Sequence, residues 1–267
     1  MLQPITISAA DVSGLVSHLW WPSLRISGFV LVAPIASEMA IPSRVKIVLT
    51  LALAILVAPF AVVPVELSIF SGAGVLAAAQ ELLIGVAIGM VMQLAFDGLT
   101  FAGQTISMSM GLGFSTLGDP QHGANVPVLG QIVTIMGTLS YLVMNGHLVL
   151  LGALAASFQT LPIGMAHVDK DFLLTVATAG ARIFETGLLV ALPAMIALLI
   201  VNMALGVVAR AAPQLNLFGI GFTVTLLCGF FVLLVGFDGI MVGVRGLFES
   251  ALALVIDMVG AHAVGAH

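Results

Sequence analysis

The chain has 267 residues, of which 61% are hydrophobic and only 7% are charged, with 7 basic and 12 acidic side chains. Because soluble domains carry about 25% charged residues, this composition excludes a water-exposed globular surface and predicts an integral membrane protein. The net charge of −5 and the lack of any basic run argue against nucleic acid as a partner.

The first apolar block runs from about residue 15 to residue 35. No lysine or arginine precedes it, so it lacks the charged start of a cleaved signal peptide and is expected to remain in the protein. Arg25 lies inside this block. Its charge either reaches the lipid headgroups on an extended side chain or is neutralised in a buried structural pair, and the sequence leaves both possibilities open.

A second block covers residues 47–63, and a third covers residues 74–96, which is about one bilayer thickness for a helix. Gly85 and Gly89 in the third block have the small-residue spacing that predicts close approach of another helix. Glu81 lies in the same block, and an ionisable group at membrane depth requires a partner or water.

The stretch from Ser107 to Pro127, which we name the glycine-rich loop, contains four glycines and two prolines, and these end a helix rather than continue it. Apolar side chains recur through the loop, so it is not an ordinary hydrophilic connection. A loop of this kind between membrane segments must be buried in protein or line a cavity, because its backbone cannot face lipid. We therefore predict a movable obstruction in a passage. The candidate residues are Met108, Met110, Gly111, Leu112, Gly113, Phe114, Leu117, Gly118, Asp119 and Pro120.

Two later blocks are too long for one simple span. Residues 128–158 contain Asn-Gly-His at 145–147 and are predicted to break there into two short helices. Residues 172–208 contain Pro193 near their middle and are predicted to form a bent pair rather than one straight helix. The last long block covers residues 217–237 and is followed by a weaker amphipathic tail.

Charged residues inside the apolar blocks supply three candidates for buried ion pairs, which are Glu81, Arg182 and Glu185. Arg182 and Glu185 are three positions apart, lie on one face of a helix and are predicted to pair. A structural pair and a role in proton or ion conduction are both open for these groups. Basic residues do not alternate between successive breaks as the positive-inside rule requires, which predicts that some helices are enclosed by a larger protein assembly.

No catalytic or cofactor-binding motif accompanies these features. The chain has no G-x-x-x-x-G-K-[ST] phosphate loop, no H-E-x-x-H, no C-x-x-C and no G-x-S-x-G. The single cysteine, Cys228, excludes an internal disulfide, and the six histidines show no metal-ligand spacing. We therefore expect no enzyme activity, no cofactor and no metal site.

Four stretches together resemble a known family. They are API…IPSRVK within residues 33–46, MGLGF…DP within 110–120, NGHL…TLPIG within 145–164, and NMALG…RAAPQLN…GIGF within 202–222. In this order and at this spacing they are similar to the FliR family of flagellar export-gate proteins in type III secretion, and more distantly to its injectisome counterparts.

The resemblance implies an all-α fold of bent and broken helical hairpins. These would form a single helical domain over residues 1–267, with a FliP-like part to about residue 170 followed by a FliQ-like part. One such subunit would join several FliP-like and FliQ-like subunits and an FlhB-like subunit in a helical hetero-oligomer. The assembly would enclose a pore in the lipid of the bacterial inner membrane, at the flagellar basal body.

The resemblance also implies a function for the glycine-rich loop. The loop would be a plug that closes the pore at rest, and unfolded flagellar proteins would pass when it moves aside. Met108, Met110 and Phe114 would supply flexible apolar sealing, while Gly111 and the later glycines would allow the movement.

Two other functions stay open at this point. A small ion-coupled or lipid-handling transporter would use Glu81, Arg182 and Glu185, and it would be a monomer or a symmetric oligomer with a substrate site. A passive membrane scaffold would tolerate changes in the glycine-rich loop without consequence.

Overall fold

The computed structural model describes residues 9–61, 71–112, 128–164, 170–212 and 217–261. These ranges are helical and contain no strand, which confirms the all-α class. The helices are α1 (Ala9–Val32), α2 (Ser43–Val57), α3 (Gly72–Ser109), α4 (Val128–Val143), α5 (Gly146–Thr160), α6 (Lys170–Ala211) and α7 (Leu217–Ala261). A short 3-10 helix, Ala58–Phe60, directly follows α2.

Four segments of the described chain are long and apolar enough to cross a membrane, and a fifth span results if the bent pair α4–α5 is counted as one. The four are Ser43–Phe60, Gly72–Ser109, Phe172–Ala211 and Gly221–Gly260. A helix satisfies its backbone hydrogen bonds internally, which is what a lipid environment requires. The protein is therefore an all-α integral membrane protein.

The break predicted at residues 145–147 is confirmed. Helix α4 ends at Val143 and α5 begins at Gly146. Asn145 has a φ of +55°, in the left-handed region that asparagine tolerates better than most residues. A Cβ on Gly146 would overlap the ring of Tyr141, so glycine is the residue that this turn accommodates.

Helix α6 differs from its prediction. It continues for 42 residues and contains Pro193 in its interior, so the bent pair predicted over residues 172–208 is wrong. Proline removes one backbone donor, whereas a full break in an apolar span would leave several backbone groups unpaired. The continuous helix is the less costly solution.

Helix α3 is also longer than predicted, with 38 residues instead of the block at 74–96. It continues to Ser109, so the first residues of the glycine-rich loop are still helical. The polar residues after Phe96 end the apolar block in the sequence, but they do not end the α-helix. They can lie on one side of a helix whose other side is packed. Helix α7 similarly runs through the amphipathic tail to Ala261, for 45 residues.

The described residues form two compact units, each made of separate segments. The first takes its residues from those up to Gln93, from His147–Ala179 and from Leu252 onward, and the second from Leu94–Gly146 and Gly180–Ala251. The two units reflect which segments of this chain pack together. The division into a FliP-like and a FliQ-like part near residue 170 stays a prediction.

In the first unit, α1 and α3 approach each other through glycines. A Cβ on Gly85 would overlap the backbone carbonyl of Arg25, and a Cβ on Gly89 would lie 3.0 Å from the Ala33 nitrogen. Gly28 on α1 packs in the same way against the backbone of α3. The close helix approach predicted from Gly85 and Gly89 is confirmed.

In the second unit, α3 and α4 pack antiparallel. A Cβ on Gly103 would lie 2.9 Å from the Cα of Gly130, so the two backbones nearly touch there. Seven positions earlier on α3, the ring of Phe96 meets Tyr141 edge to face, with centroids 5.4 Å apart. Phe248 of α7 completes this aromatic cluster, at 5.0 Å from Phe96 and 5.4 Å from Tyr141.

The glycine contact between α1 and α3 leads to a first prediction. Gly85→Ala should lower the thermal stability of the detergent-solubilised protein by about 1–3 kcal/mol, because the added methyl group forces two backbones apart. Gly152→Ala on α5 is the matched control, since open space surrounds that position. Alanine favours a helix by about 1 kcal/mol over glycine, so the control should be neutral or stabilised. Equal shifts of the two melting temperatures would contradict the prediction.

Candidate functional site

The glycine-rich loop lies only partly within the described residues. Six of its ten candidates fall outside them, namely Gly113, Phe114, Leu117, Gly118, Asp119 and Pro120. The other four lie in residues 108–112, which we name the loop root. Met108 is 66% exposed, whereas Met110 is fully buried. The loop root therefore has one anchored methionine and one methionine on the surface of the chain.

The geometry of the loop root ends α3. The Met110 N–H donates to the Ile106 carbonyl at 3.0 Å, and the Gly111 N–H donates to the Met108 carbonyl at 3.0 Å. Gly111 has a φ of +82°, the left-handed conformation with which glycine terminates many helices. Gly111 thus has a defined role as the helix stop, and its role in loop movement stays a prediction.

The side chain of Met110 holds the loop root on α7. Met110 fills the space above Gly229, where an added Cβ would lie 2.8 Å from the Met110 sulfur. A Cβ on Gly111 would lie 3.4 Å from the ring of Phe222. Methionine is flexible enough to fit the flat surface that a glycine leaves on a helix.

A polar contact joins the loop root to α6. The side-chain amide of Asn202 donates to the Ser109 carbonyl at 3.3 Å, which satisfies one of the carbonyls left free at a helix end. The Thr225 hydroxyl lies 3.4 Å from the Asn202 side-chain oxygen and donates at 2.8 Å to the Gly221 carbonyl. Sequence analysis did not assign a role to Asn202 or Thr225. The available signal was an amide within residues 187–209, a stretch of α6 that is otherwise apolar.

The buried acid Glu81 has a partner that the sequence left open. Arg25 and Glu81 are both buried, and the guanidinium binds the carboxylate through two hydrogen bonds. The Arg25 Nε donates to Oε2 at 2.7 Å, and Nη2 donates to Oε1 at 3.1 Å. Of the two possibilities for Arg25, the buried structural pair is confirmed.

The remaining donors of Arg25 bind the C-terminal end of α5. Nη1 donates to the carbonyl of Ser157 at 2.7 Å and to its hydroxyl at 3.0 Å, while Nη2 donates to the Leu161 carbonyl at 2.8 Å. The ring of Phe158 lies 4.3 Å from the guanidinium carbon. Arginine has five N–H donors, so this environment satisfies each of them and places a cation at the negative end of a helix dipole.

Arg182 and Glu185 are not brought together. Both side chains are exposed on α6, and no ion pair of 4.0 Å or less joins them in the described chain. A spacing of three residues permits a pair but leaves two long side chains free to extend into their surroundings. Within the described ranges, no group of three or more His, Cys, Asp or Glu residues is arranged to hold a metal ion.

Comparison with known proteins points to one family. Residues 16–251 match the family described as bacterial export proteins, family 1. The flagellar biosynthetic protein FliR of Pectobacterium carotovorum subsp. carotovorum is 42% identical over 230 residues, which are 86% of this chain and 87% of that protein. FliR of Escherichia coli K12 is 38% identical over 240 residues, 90% of this chain and 92% of that protein. FliR of Bacillus subtilis strain 168 is 30% identical over 232 residues, 86% and 89% of the two chains.

The Arg25–Glu81 pair leads to a second prediction. Glu81→Gln should destabilise the folded protein by about 3–5 kcal/mol, because it leaves a buried guanidinium without its counter-charge. The double variant Arg25→Met with Glu81→Leu should be less destabilised than the single variant, since it removes both charges. Thermal unfolding in detergent measures both effects. Glu185→Gln, at an exposed position, serves as the control and should change stability little. A Glu81→Gln protein that melts with the control would disprove the structural role of the pair.

The contact between Met110 and Gly229 leads to a third prediction. Gly229→Ala should destabilise the protein by about 1–3 kcal/mol, because its methyl group enters the space that Met110 occupies. Met110→Ala should remove most of this penalty, so the two changes should be strongly non-additive in a double-mutant cycle. Gly236→Ala, which meets open space on the same helix, is the control. Additive effects of the two changes would mean that Met110 does not anchor the loop root there.

Proposed function

The chain belongs to family 1 of the bacterial export proteins, and from this we propose that it is a gate subunit of a flagellar type III export channel. Its membership makes it a membrane protein of flagellar biosynthesis and protein export. The proposal adds that it forms a channel with FliP-like and FliQ-like subunits and contacts an FlhB-like subunit. It also places the assembly in the bacterial inner membrane, at the flagellar basal body.

The short helices support a role inside a larger assembly. Helices α4 and α5 have 16 and 15 residues, whereas about 20 are needed to cross the hydrocarbon core. The backbone between two such helices is tolerated at membrane depth only when surrounding protein satisfies it. Neighbouring subunits would supply that protein.

The loop root supports a closing role for the glycine-rich loop. Met110 is held by its contact with Gly229 of α7, and Asn202 holds the end of α3. A movable plug requires a fixed base, because force on the loop would otherwise displace the helix that carries it. Met108 is exposed beside this base, where an apolar, flexible side chain could seal against a neighbouring subunit.

The transporter alternative loses its main support. Such a protein would need an ionisable group that can exchange its partner, yet Arg25 binds both oxygens of the Glu81 carboxylate. All five donors of that arginine are occupied, and the pair is sealed from solvent. Arg182 and Glu185 are exposed and form no ion pair with each other. The described residues therefore offer no second buried pair of charged groups that could conduct ions. The observation that carries the export proposal is the family match together with the anchored base of the glycine-rich loop.

The plug proposal leads to a fourth prediction. Deletion of residues 112–117 should leave assembly intact but make the resting complex leak ions or small solutes, because the obstruction is removed while the helices and the helix stop at Gly111 remain. Conductance of the purified complex in planar bilayers measures the leak. Wild-type conductance in an assembled deletion complex would refute the plug.

Assembly is checked independently of conductance. The tagged chain is purified from native membranes with and without the deletion, and co-purifying subunits are identified by mass spectrometry. FliP-like and FliQ-like subunits should accompany both proteins. A wild-type chain that arrives alone, folded and monodisperse, would overturn the export-gate function itself.

A further inference from the structure

Helices α6 and α7 border an apolar groove of about 640 Å³ within the second unit. On α6 the lining residues extend from Thr186 to Ala197, and on α7 they extend from Phe231 to Ser250. Every lining residue is apolar or a glycine except the hydroxyl residues Thr186 and Ser250. The α7 wall is about 28 Å long, which is close to the thickness of the hydrocarbon core of a bilayer.

Glycines on α7 form the floor of the groove. A Cβ on Gly243 would lie 3.0 Å from the Val190 Cγ2, so α6 and α7 meet at this point. Gly236, Gly239 and Gly246 also line the groove, yet an added Cβ at any of them would meet no neighbouring atom within 4 Å. The two helices therefore leave a space along these glycines that no side chain of the described residues occupies.

Charged residues lie at one end of the groove. Five residues connect α6 to α7, so the two helices run antiparallel. Arg182 is eight positions before Val190, and Ser250 is seven positions after Gly243. Both therefore lie about 10–12 Å from the packing contact, in the same direction. Asp238, five positions before Gly243, lies on the opposite side of that contact.

Three charged residues surround this end of the groove, and we name them the groove mouth: Arg182, Glu185 and Glu249. All three are exposed, and no ion pair joins them to another residue in the part of the chain that the structure describes. Each is three or four positions, which is one helical turn, from a residue that lines the groove. Those lining residues are Thr186, Leu189 and Gly246, respectively. The groove therefore combines a long apolar wall with one cation and two anions at its end.

This combination of charges favours an occupant that carries both signs. A phosphate group accepts hydrogen bonds from the guanidinium of Arg182, whose donors match the geometry of phosphate oxygens. An ammonium group on the same molecule is attracted to the carboxylates of Glu185 and Glu249. A headgroup with a phosphate alone would meet two like charges beside its one partner. An aminophospholipid with no net charge satisfies both requirements, and its acyl chain matches the apolar wall.

The volume of the groove distinguishes a lipid from a further helix. An α-helix of about 10 Å diameter and about 28 Å length occupies roughly 2,200 Å³, well above the volume of the groove. A groove of about 640 Å³ is within the range of about 300–1,000 Å³ that is typical of small-molecule pockets. A flexible acyl chain is thin enough to follow the glycine floor along its length.

We infer that the groove binds one zwitterionic aminophospholipid, with its headgroup at the groove mouth and an acyl chain along Gly246 and Gly239. The lipid is a resident component that fills the space between α6 and α7. This inference goes beyond the proposed function, because it rests on the membrane class of the protein and on this helix pair rather than on export. It also gives Arg182 and Glu185 a role that ion pairing within the described chain does not.

Photo-crosslinking in vesicles tests the site. The protein, in the assembly in which it is purified, is reconstituted with phosphatidylethanolamine that carries a photoreactive acyl chain, or with phosphatidylglycerol that has identical chains. Mass spectrometry then locates the modified peptides. Adducts of phosphatidylethanolamine should concentrate on residues 231–250 and exceed those of phosphatidylglycerol several-fold. Labelling no stronger than that of the exposed apolar side chains of α2 would show adventitious contact with bulk lipid only and would overturn the inference.

Matched variants separate the groove from its surroundings. Gly239→Leu combined with Gly246→Leu should fill the groove and remove its adducts. Gly206→Leu is the control, because this glycine of α6 also meets open space but does not line the groove. Undiminished adducts on residues 231–250 of the double leucine variant would contradict the inference.

The headgroup contact is tested separately. Arg182→Gln should reduce the phosphatidylethanolamine adducts several-fold, because the phosphate loses its partner. Arg245→Gln is the control, since this exposed arginine of α7 is not one turn from any lining residue. If the two changes have equal effects, the groove mouth does not recognise the headgroup and the inference is wrong.

The assembled complex distinguishes a lipid from a protein occupant. Gly239→Cys is introduced together with Cys228→Ser, so that the new thiol is the only one in this chain. Lipid adducts on residues 231–250 without a thiol crosslink to a neighbouring subunit are the expected result. A crosslink without lipid adducts would place a partner helix in the groove and overturn the lipid inference, while the export function would stand. That function is judged by co-purification of FliP-like and FliQ-like subunits, which does not depend on the groove.

Discussion

The buried Arg25 guanidinium is the group on which the first unit depends. Burying a charge is costly unless opposite charge and hydrogen bonds compensate for it, and Glu81 together with the end of α5 provides both. The contact ties α1, α3 and α5 together at one point. The glycines around it then follow, because α1 and α3 can bring these side chains into contact only where Gly28 and Gly85 let the backbones meet.

In the second unit, the groups that need hydrogen-bonding partners are backbone carbonyls. The end of α3 must satisfy its last carbonyls, and it does so through its own turn at Gly111 and through Asn202. The aromatic cluster around Phe96 holds the other end of the α3–α4 contact. Between these two points the hydroxyls of Thr100 and Thr134 lie 3.1 Å apart, so a polar contact also joins the two helices.

Much of the architecture could be predicted from composition and hydrophobic pattern alone. The membrane class follows from the scarcity of charge, the break near Asn145 follows from local turn chemistry, and the helix approach at Gly85 follows from side-chain size. The continuous helices α3, α6 and α7 could not be predicted in the same way. In the sequence, the polar residues of α3 and α7 and the proline of α6 look like helix ends. The helices continue through them because their other faces are packed against neighbouring helices.

For the candidate site too, some features could be predicted from the sequence and others only from the tertiary structure. The sequence by itself determined that this is a membrane protein of the flagellar export family, and that its glycine-rich loop is followed by a broken helical pair. Only the tertiary structure decided that Arg25 neutralises Glu81, and that Met110 is an anchor while Met108 is exposed. The physical reason is distance along the chain. Hydropathy and spacing report what a residue requires, but a partner 56 positions away is determined by how the helices pack.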